Sequence, residues 1–149
     1  MAGRLRLVNC TVSNNATPGE GGGVYVKGTL EMVNTIIAGN SSGTGGGECV
    51  VAGMDEYGIS GTLGTHANNW VQDGGCDTDL CGDPMLSHLD DNGGETLTHA
   101  LLPGSPAIDA ISVASCTLPI DQRGRIRPVI QTSAETPCDI GAYEVQAGQ

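Results

Sequence analysis

Apolar and polar residues alternate in short runs over the first fifty positions, and the alternation comes round again. Leu5-Arg6-Leu7-Val8-Asn9-Cys10-Thr11-Val12-Ser13-Asn14-Asn15 aligns with Leu30-Glu31-Met32-Val33-Asn34-Thr35-Ile36-Ile37-Ala38-Gly39-Asn40 at an offset of 25 residues. Val8 falls on Val33, Asn9 on Asn34 and Asn15 on Asn40, and the glycine runs 21–23 and 45–47 follow at an offset of 24. Self-similarity at roughly 20 to 50 residues marks stacked supersecondary units. Asn and Gly interrupt each unit, so the units hold short strands rather than helices. One turn of a parallel β-helix explains the pattern, each coil pairing in register with the next about 4.8 Å away. Leu7 then stacks over Met32, and Val12 over Ile37, as interior columns. Asn9 over Asn34 forms an amide ladder at a corner, and the glycine triplets supply turns closed to other residues.

Beyond residue 48 the repeat blurs. Val50-Val51-Ala52, Tyr57-Gly58-Ile59-Ser60 and Asn68-Asn69-Trp70-Val71 read as further short strands between glycine turns, making one or two coils of irregular length. Trp70 belongs to the core or to a cap. Composition supports an all-β reading: 24 glycines are roughly twice the usual share, and no long helix interior tolerates that density. The apolar residues are Val, Leu, Ile and Ala, with no Phe and one Trp, which suits thin stacked layers. The expected organisation is one domain over 1–149, with coils over about 5–82, a C-terminal cap over about 83–145 and a tail over 146–149.

Six basic against seventeen acidic residues give a net charge of −11. Such a surface repels phosphate backbones and removes nucleic acid from the expected partners. No apolar run approaches the ~20 residues of a membrane span, and Met1-Ala2-Gly3-Arg4 does not open a signal peptide. Six cysteines favour disulfides and an oxidising compartment. That conflict is resolved if the chain is an excised or truncated piece of a longer one.

From Asp83 to Glu144 three motifs stand out: D-P-M-L-S-H-L-D-D-N-G-G-E-T-L-T-H-A-L-L-P-G-S-P-A-I-D-A, then I-D-Q-R-G-R-I-R-P, then C-D-I-G-A-Y-E. Together they resemble the C-terminal region of the choice-of-anchor Q domain proteins, bacterial members of the pectin-lyase-like superfamily. The segments N-C-T-V-S-N-N, N-T-I-I-A-G-N and G-G-E-C are similar to the family's final coils, so the likeness runs from about Leu5 to Glu144. It implies a short right-handed parallel β-helix with an irregular, disulfide-stapled C-terminal cap, exported or held at the cell surface. The family has no established reaction. Its members usually carry many coils and a signal peptide upstream and often end in an anchoring segment, whereas about two regular coils and Val145-Gln146-Ala147-Gly148-Gln149 stand here. The resemblance also implies that Cys116 pairs with Cys138 and Cys49 with Cys76, each bridge worth ~3 kcal/mol. Cys10 and Cys81 are left over, either free or paired with each other.

The charges of the C-terminal region are Asp109, Asp121, Arg123, Arg127, Asp139 and Glu144. Guanidinium groups pair bidentately with carboxylates, and Arg123 with Asp109 or Asp139 is expected to lock the cap. The acidic loops carry Asp73, Asp77 and Asp79, and Asp90 and Asp91. They offer the oxygen ligands Ca²⁺ takes but lack EF-hand spacing. His88 and His99, near Asp90 and Asp109, lack a placed nucleophile, and His99 reads as a hydrogen-bonded packing residue. No catalytic set is assigned.

Two function classes remain. One is a non-catalytic extracellular or surface module with a structural, adhesive or binding role. The other is a carbohydrate-active enzyme or carbohydrate-binding β-helix, chemistry that needs facing carboxylates or Ca²⁺ with a basic residue. The coils hold only Arg4, Arg6 and Lys27 as bases. An open first coil, with Leu5, Leu7 and Val12 bare, is expected to pair with a second copy, so a homo-oligomer through the N-terminal edge is the expected assembly.

Overall fold

The computed structural model describes residues 3–45, 47–78, 80–127, 137–146 and 148. The first layer holds β1 (Arg4–Val8), β2 (Thr11–Ser13), β3 (Ala16–Thr17) and β4 (Val24–Val26). The second repeats the sequence with β5 (Thr29–Val33), β6 (Ile36–Ala38), β7 (Ser41–Ser42) and β8 (Cys49–Val51). A third layer holds β9 (Thr62–Ala67) and β10 (Trp70–Val71). Every pairing between layers is parallel: β1-β5-β9, β2-β6-β10, β3-β7 and β4-β8. Leu7 faces Met32, Val12 faces Ile37, Ala16 faces Ser41 and Val24 faces Cys49, all at the 25-residue step read from the sequence.

Asparagine makes the corner after the first strand of each layer. Asn9, Asn34 and Asn68 adopt φ of 49°, 54° and 53°, the left-handed region that Asn tolerates better than other side chains. The amides do stack, with one interruption. Asn68 Nδ2 donates to Asn34 Oδ1 at 3.1 Å, but Asn34 Nδ2 turns to the Ser115 carbonyl and the Thr117 hydroxyl. Thr117 in turn donates to Asn9 Oδ1. The expected direct contact of Asn9 with Asn34 is replaced by a threonine bridge from the C-terminal segment.

The third layer departs from the repeat. Ile36 faces Trp70 and Thr29 faces Thr62, steps of 34 and 33 residues. The expected strand at Tyr57–Ser60 is a turn, because the Asp55 carboxylate accepts the N–H groups of both Tyr57 and Ile59 and Gly58 lies at φ 72°. A local side-chain cap there outcompetes strand pairing. The strand lies further on, at β9, where a register shift accommodates Thr62–Ala67 against β5. Residues 53–60 form the insertion, and the shift within β9 adds one residue more.

Two hydrophobic cores share β6. Between the sheets, Leu30, Met32, Ile37 and Val71 have no exposed surface and pack with Val24, Val26 and Cys49. Outside, Ile36 and Trp70 point away from the interior and are covered by Leu101, Ala107, Ile111, Cys138, Ile140 and Tyr143. Strand β6 is therefore buried on both faces, which explains its uninterrupted Ile-Ile-Ala sequence. The C-terminal segment lies along the flank of the layers. Gly141 N–H donates to the Asn34 carbonyl at 2.9 Å and Ala142 N–H to Thr11 Oγ1 at 3.0 Å. Gly141 sits at φ 99°, where an added Cβ would lie 2.8 Å from Ile36 Cδ1 and Thr11 Oγ1. An antiparallel hairpin, β11 (Leu86–Asp90) with β12 (Thr98–Leu101), leads into this segment. The only helical turn among the described residues is Val113–Ser115, so no helix among them is long and apolar enough to cross a membrane.

Candidate functional site

The densest concentration of polar chemistry is where the C-terminal segment closes on itself. Asp121, Arg123, Arg127, Asp139 and Glu144 are all buried, each less than a tenth exposed. Burying five ionisable groups is costly unless each is paired and hydrogen-bonded, and the chain meets that requirement locally. Asp121 Oδ1 accepts the N–H groups of Arg123 and Arg125, and Oδ2 accepts Arg123 Nε at 2.9 Å and Glu144 N–H at 3.1 Å. Arg123 then reaches the carbonyls of Asn92 and Glu144 and lies 3.6 Å over the Tyr143 ring. It joins the hairpin loop to the last strand-like segment.

Arg123 therefore pairs with Asp121, two residues away, and not with Asp109 or Asp139. The turn Asp121-Gln122-Arg123-Gly124 folds the carboxylate back under its own arginine. Asp139 serves the backbone instead: its oxygens accept Asp109 N–H at 2.8 Å and Val145 N–H at 2.6 Å. Asp109 is exposed at φ 54°, and contributes its N–H rather than its carboxylate. Arg127 donates to the carbonyls of Asp139 and Gly141 and approaches Glu144 Oε2 at 3.5 Å, while its buried Nε has no partner among the described residues.

Three carboxylates face two guanidinium groups in this cluster, one negative charge in excess when all are ionised. Burial pushes the Glu144 carboxyl up to about 7, with Asp139 adding to the rise and Arg127 opposing it. Burial also raises Asp139, against the two N–H groups it accepts, and lowers Arg127. Cys116 is joined to Cys138, the neighbour of Asp139, and Cys49 is joined to Cys76 in the core between the strand layers. Cys10 and Cys81 are free thiols.

No protein-family model, curated protein or solved structure matches the chain.

The acidic loops do structural work of their own. Asp73 accepts the N–H groups of Glu48 and Gly75, Asp90 that of Asp91, and Asp91 that of Gly93. Asp77 stands exposed at φ 53°, and Asp79 lies outside the described residues. These carboxylates cap turns, the behaviour expected of Asp in Asx turns. Among the described residues no three His, Cys, Asp or Glu side chains gather to hold a metal ion. The bases of the coils are also occupied, Arg4 and Arg6 at Glu31 and Lys27 at Asp55.

Two participants in the site carried no signal strong enough to be read beforehand. Tyr143 acts as the platform for Arg123, and Thr117 as the bridge to Asn9. The A-Y-E triplet beside an arginine-rich turn hinted at the first, since guanidinium groups stack on aromatic faces. Nothing local marked the second.

Proposed function

We propose that this chain is the C-terminal part of a choice-of-anchor Q domain protein, a right-handed parallel β-helix whose role is structural or adhesive rather than catalytic. The observation that carries the reading is the constant 25-residue register of four successive parallel strand pairs, the signature of a coil that repeats. The charged residues of the C-terminal segment are consumed by internal hydrogen bonds, which supports a closure device in place of a reaction centre. Two disulfides support residence in an oxidising compartment, outside the cell or on its surface.

When residues 1–149 stand alone, the layer of β1 and β4 is an edge. Leu5 is 37% and Tyr25 44% exposed there, and β1 and β4 have partners on one side only among the described residues. Edges of this kind pair with another chain, so the expected assembly is a homo-oligomer joined through that layer. The test of the functional reading is a turnover screen. Oxidised protein is incubated with pectic, alginate and neutral polysaccharides while new reducing ends and unsaturated uronates are followed. The expected result is no product formation; sustained release that is lost on boiling the protein overturns the non-catalytic role.

A further inference from the structure

A second polar site lies away from the buried charges, in a cleft of about 240 Å³ where the hairpin meets the coils. Its floor is formed by Ser13 and Ala38, register partners across β2 and β6, and by Gln72, the residue that follows β10 and accepts the Gly39 N–H. The neighbouring column, Thr11, Ile36 and Trp70, lies under the C-terminal segment. The column of Ser13 is covered only in part: Ala38 is buried at the bottom of the hollow, and the half-buried Ser13 and Gln72 stand on either side of it. Its far wall is the hairpin, through Leu86, Ser87, His88 and His99, and Asn14 and Asp83 complete the rim.

The groups around the hollow are held in place by bonds that leave other atoms free. His99 Nδ1 lies 2.8 Å from the Ser87 carbonyl. A carbonyl only accepts, so Nδ1 carries the proton and Nε2 of the neutral ring is an acceptor. Nε2 meets the Asn14 amide at a long 3.5 Å. Gln72 spends Oε1 on Gly39 N–H at 2.8 Å, leaving its Nε2 donors. Asp83 spends Oδ1 on Met85 N–H at 2.8 Å, leaving Oδ2. Ser13 adds a hydroxyl whose proton is free to rotate.

We infer that this cleft binds a neutral, polyhydroxylated ligand, a sugar ring. The juxtaposition of donors (Gln72, Asn14), acceptors (His99, Asp83) and a hydroxyl that does both (Ser13) matches a run of vicinal hydroxyl groups, each of which both donates and accepts. Leu86 supplies an apolar margin for the ring's C–H face. No lysine or arginine lines the cleft, and the one charged side chain is a carboxylate in a chain of net charge −11. An anionic ligand would meet like charge there. The inference stands apart from the structural role, since a chain that never assembles would still hold the cleft.

The test is a ¹H–¹⁵N NMR titration of the oxidised full chain with glucose, galactose and mannose, and with galacturonate as the anionic counterpart. At least one neutral sugar is expected to give saturable shifts at Gly39, Gln72 and His99, with a dissociation constant on the order of 10 mM. Ser13→Leu, which fills the hollow from its rim, is expected to weaken binding about tenfold or more while the other amides keep their positions. Should that variant perturb the whole spectrum, His88→Ala on the exposed wall replaces it with a smaller loss. Three results overturn the site: no saturable shift with any neutral sugar, galacturonate binding as tightly as the neutral sugars, or undiminished shifts in the variant that keeps its fold.

Discussion

Neutralising Glu144 should make the protein more stable, and by an amount that depends on pH. The Glu144 side chain is 3% exposed, and its carboxyl is raised from 4.5 to about 7, mainly by burial. A carboxyl that binds its proton more tightly when folded stabilises the fold fully below its unfolded value, near 4.5. That contribution is lost as pH rises through 7. Between pH 5 and pH 8 the loss is roughly 2 to 3 kcal/mol, from 1.36 kcal/mol for each unit of displacement less the part already gone at pH 5. The raised Asp139 carboxyl acts in the same direction. Glu144→Gln keeps an oxygen for Asp139 N–H, which now bonds to Glu144 Oε2 at 3.0 Å, and removes the excess negative charge. Its advantage over the wild type should therefore grow by that same amount across the interval. Urea unfolding of oxidised protein at pH 5, 6, 7 and 8, followed by Trp70 fluorescence, would show the wild-type midpoint falling by about 1 M or more. The variant's midpoint should fall by clearly less, keeping only the share that Asp139 contributes. A wild-type midpoint that is flat or rises with pH, or a variant that keeps the full slope, would refute the reasoning.

Removing Cys116–Cys138 or Cys49–Cys76 by paired Cys→Ala changes should each cost about 3 kcal/mol in urea unfolding, since the bridges close loops of similar length, 22 and 27 residues. Asn34→Ala removes donors to Ser115 and Thr117 from a residue with no exposed surface. It should cost about 2 to 4 kcal/mol, and Asn34→Gly about 1 kcal/mol less because glycine adopts φ 54° without strain. Light scattering behind size exclusion should find the wild type as an oligomer, and Leu5→Glu, which charges the open edge, should shift it to monomer. A wild type that elutes as a monomer at every concentration would discount the edge as an interface.

The sequence was most legible where the repeat was undisturbed. Leu7, Val12, Val8 and Asn9 could be aligned with their partners because the first step between coils has a constant length and every corner is an Asn or Gly. The third layer was lost when eight inserted residues, 53–60, broke the step, and Tyr57 and Ile59 gave the insertion a strand-like look that the Asp55 cap undoes. Gly64 and His66 in turn disguise β9, whose inward positions are not a plain alternation of apolar residues. The hairpin β11–β12 was not read from the sequence, where Asp90 and Asp91 drew attention as oxygen ligands, although Asn92-Gly93-Gly94 has the composition of a hairpin turn. In the C-terminal segment the set of charged residues was visible, but partner choice was not. Arg123 has four carboxylates within reach by composition, and only the backbone of the 121–124 turn decides for Asp121. Thr117 could not be read at all, because its importance comes from a place 108 residues earlier in the chain.

That separation also sets a timetable for synthesis. A ribosome adding about 5 to 20 residues per second needs roughly 5 to 20 s to make the stretch between Asn9 and Thr117. For all that time the corner asparagines lack their bridge, and the outward side chains of Ile36 and, once made, Trp70 face solvent. The side around Asn9 thus waits for the Thr117 segment before it is sealed. A stop placed between about codons 82 and 98 would release the three strand layers with Ile36 and Trp70 bare, producing a client for chaperones and proteases instead of a smaller working protein.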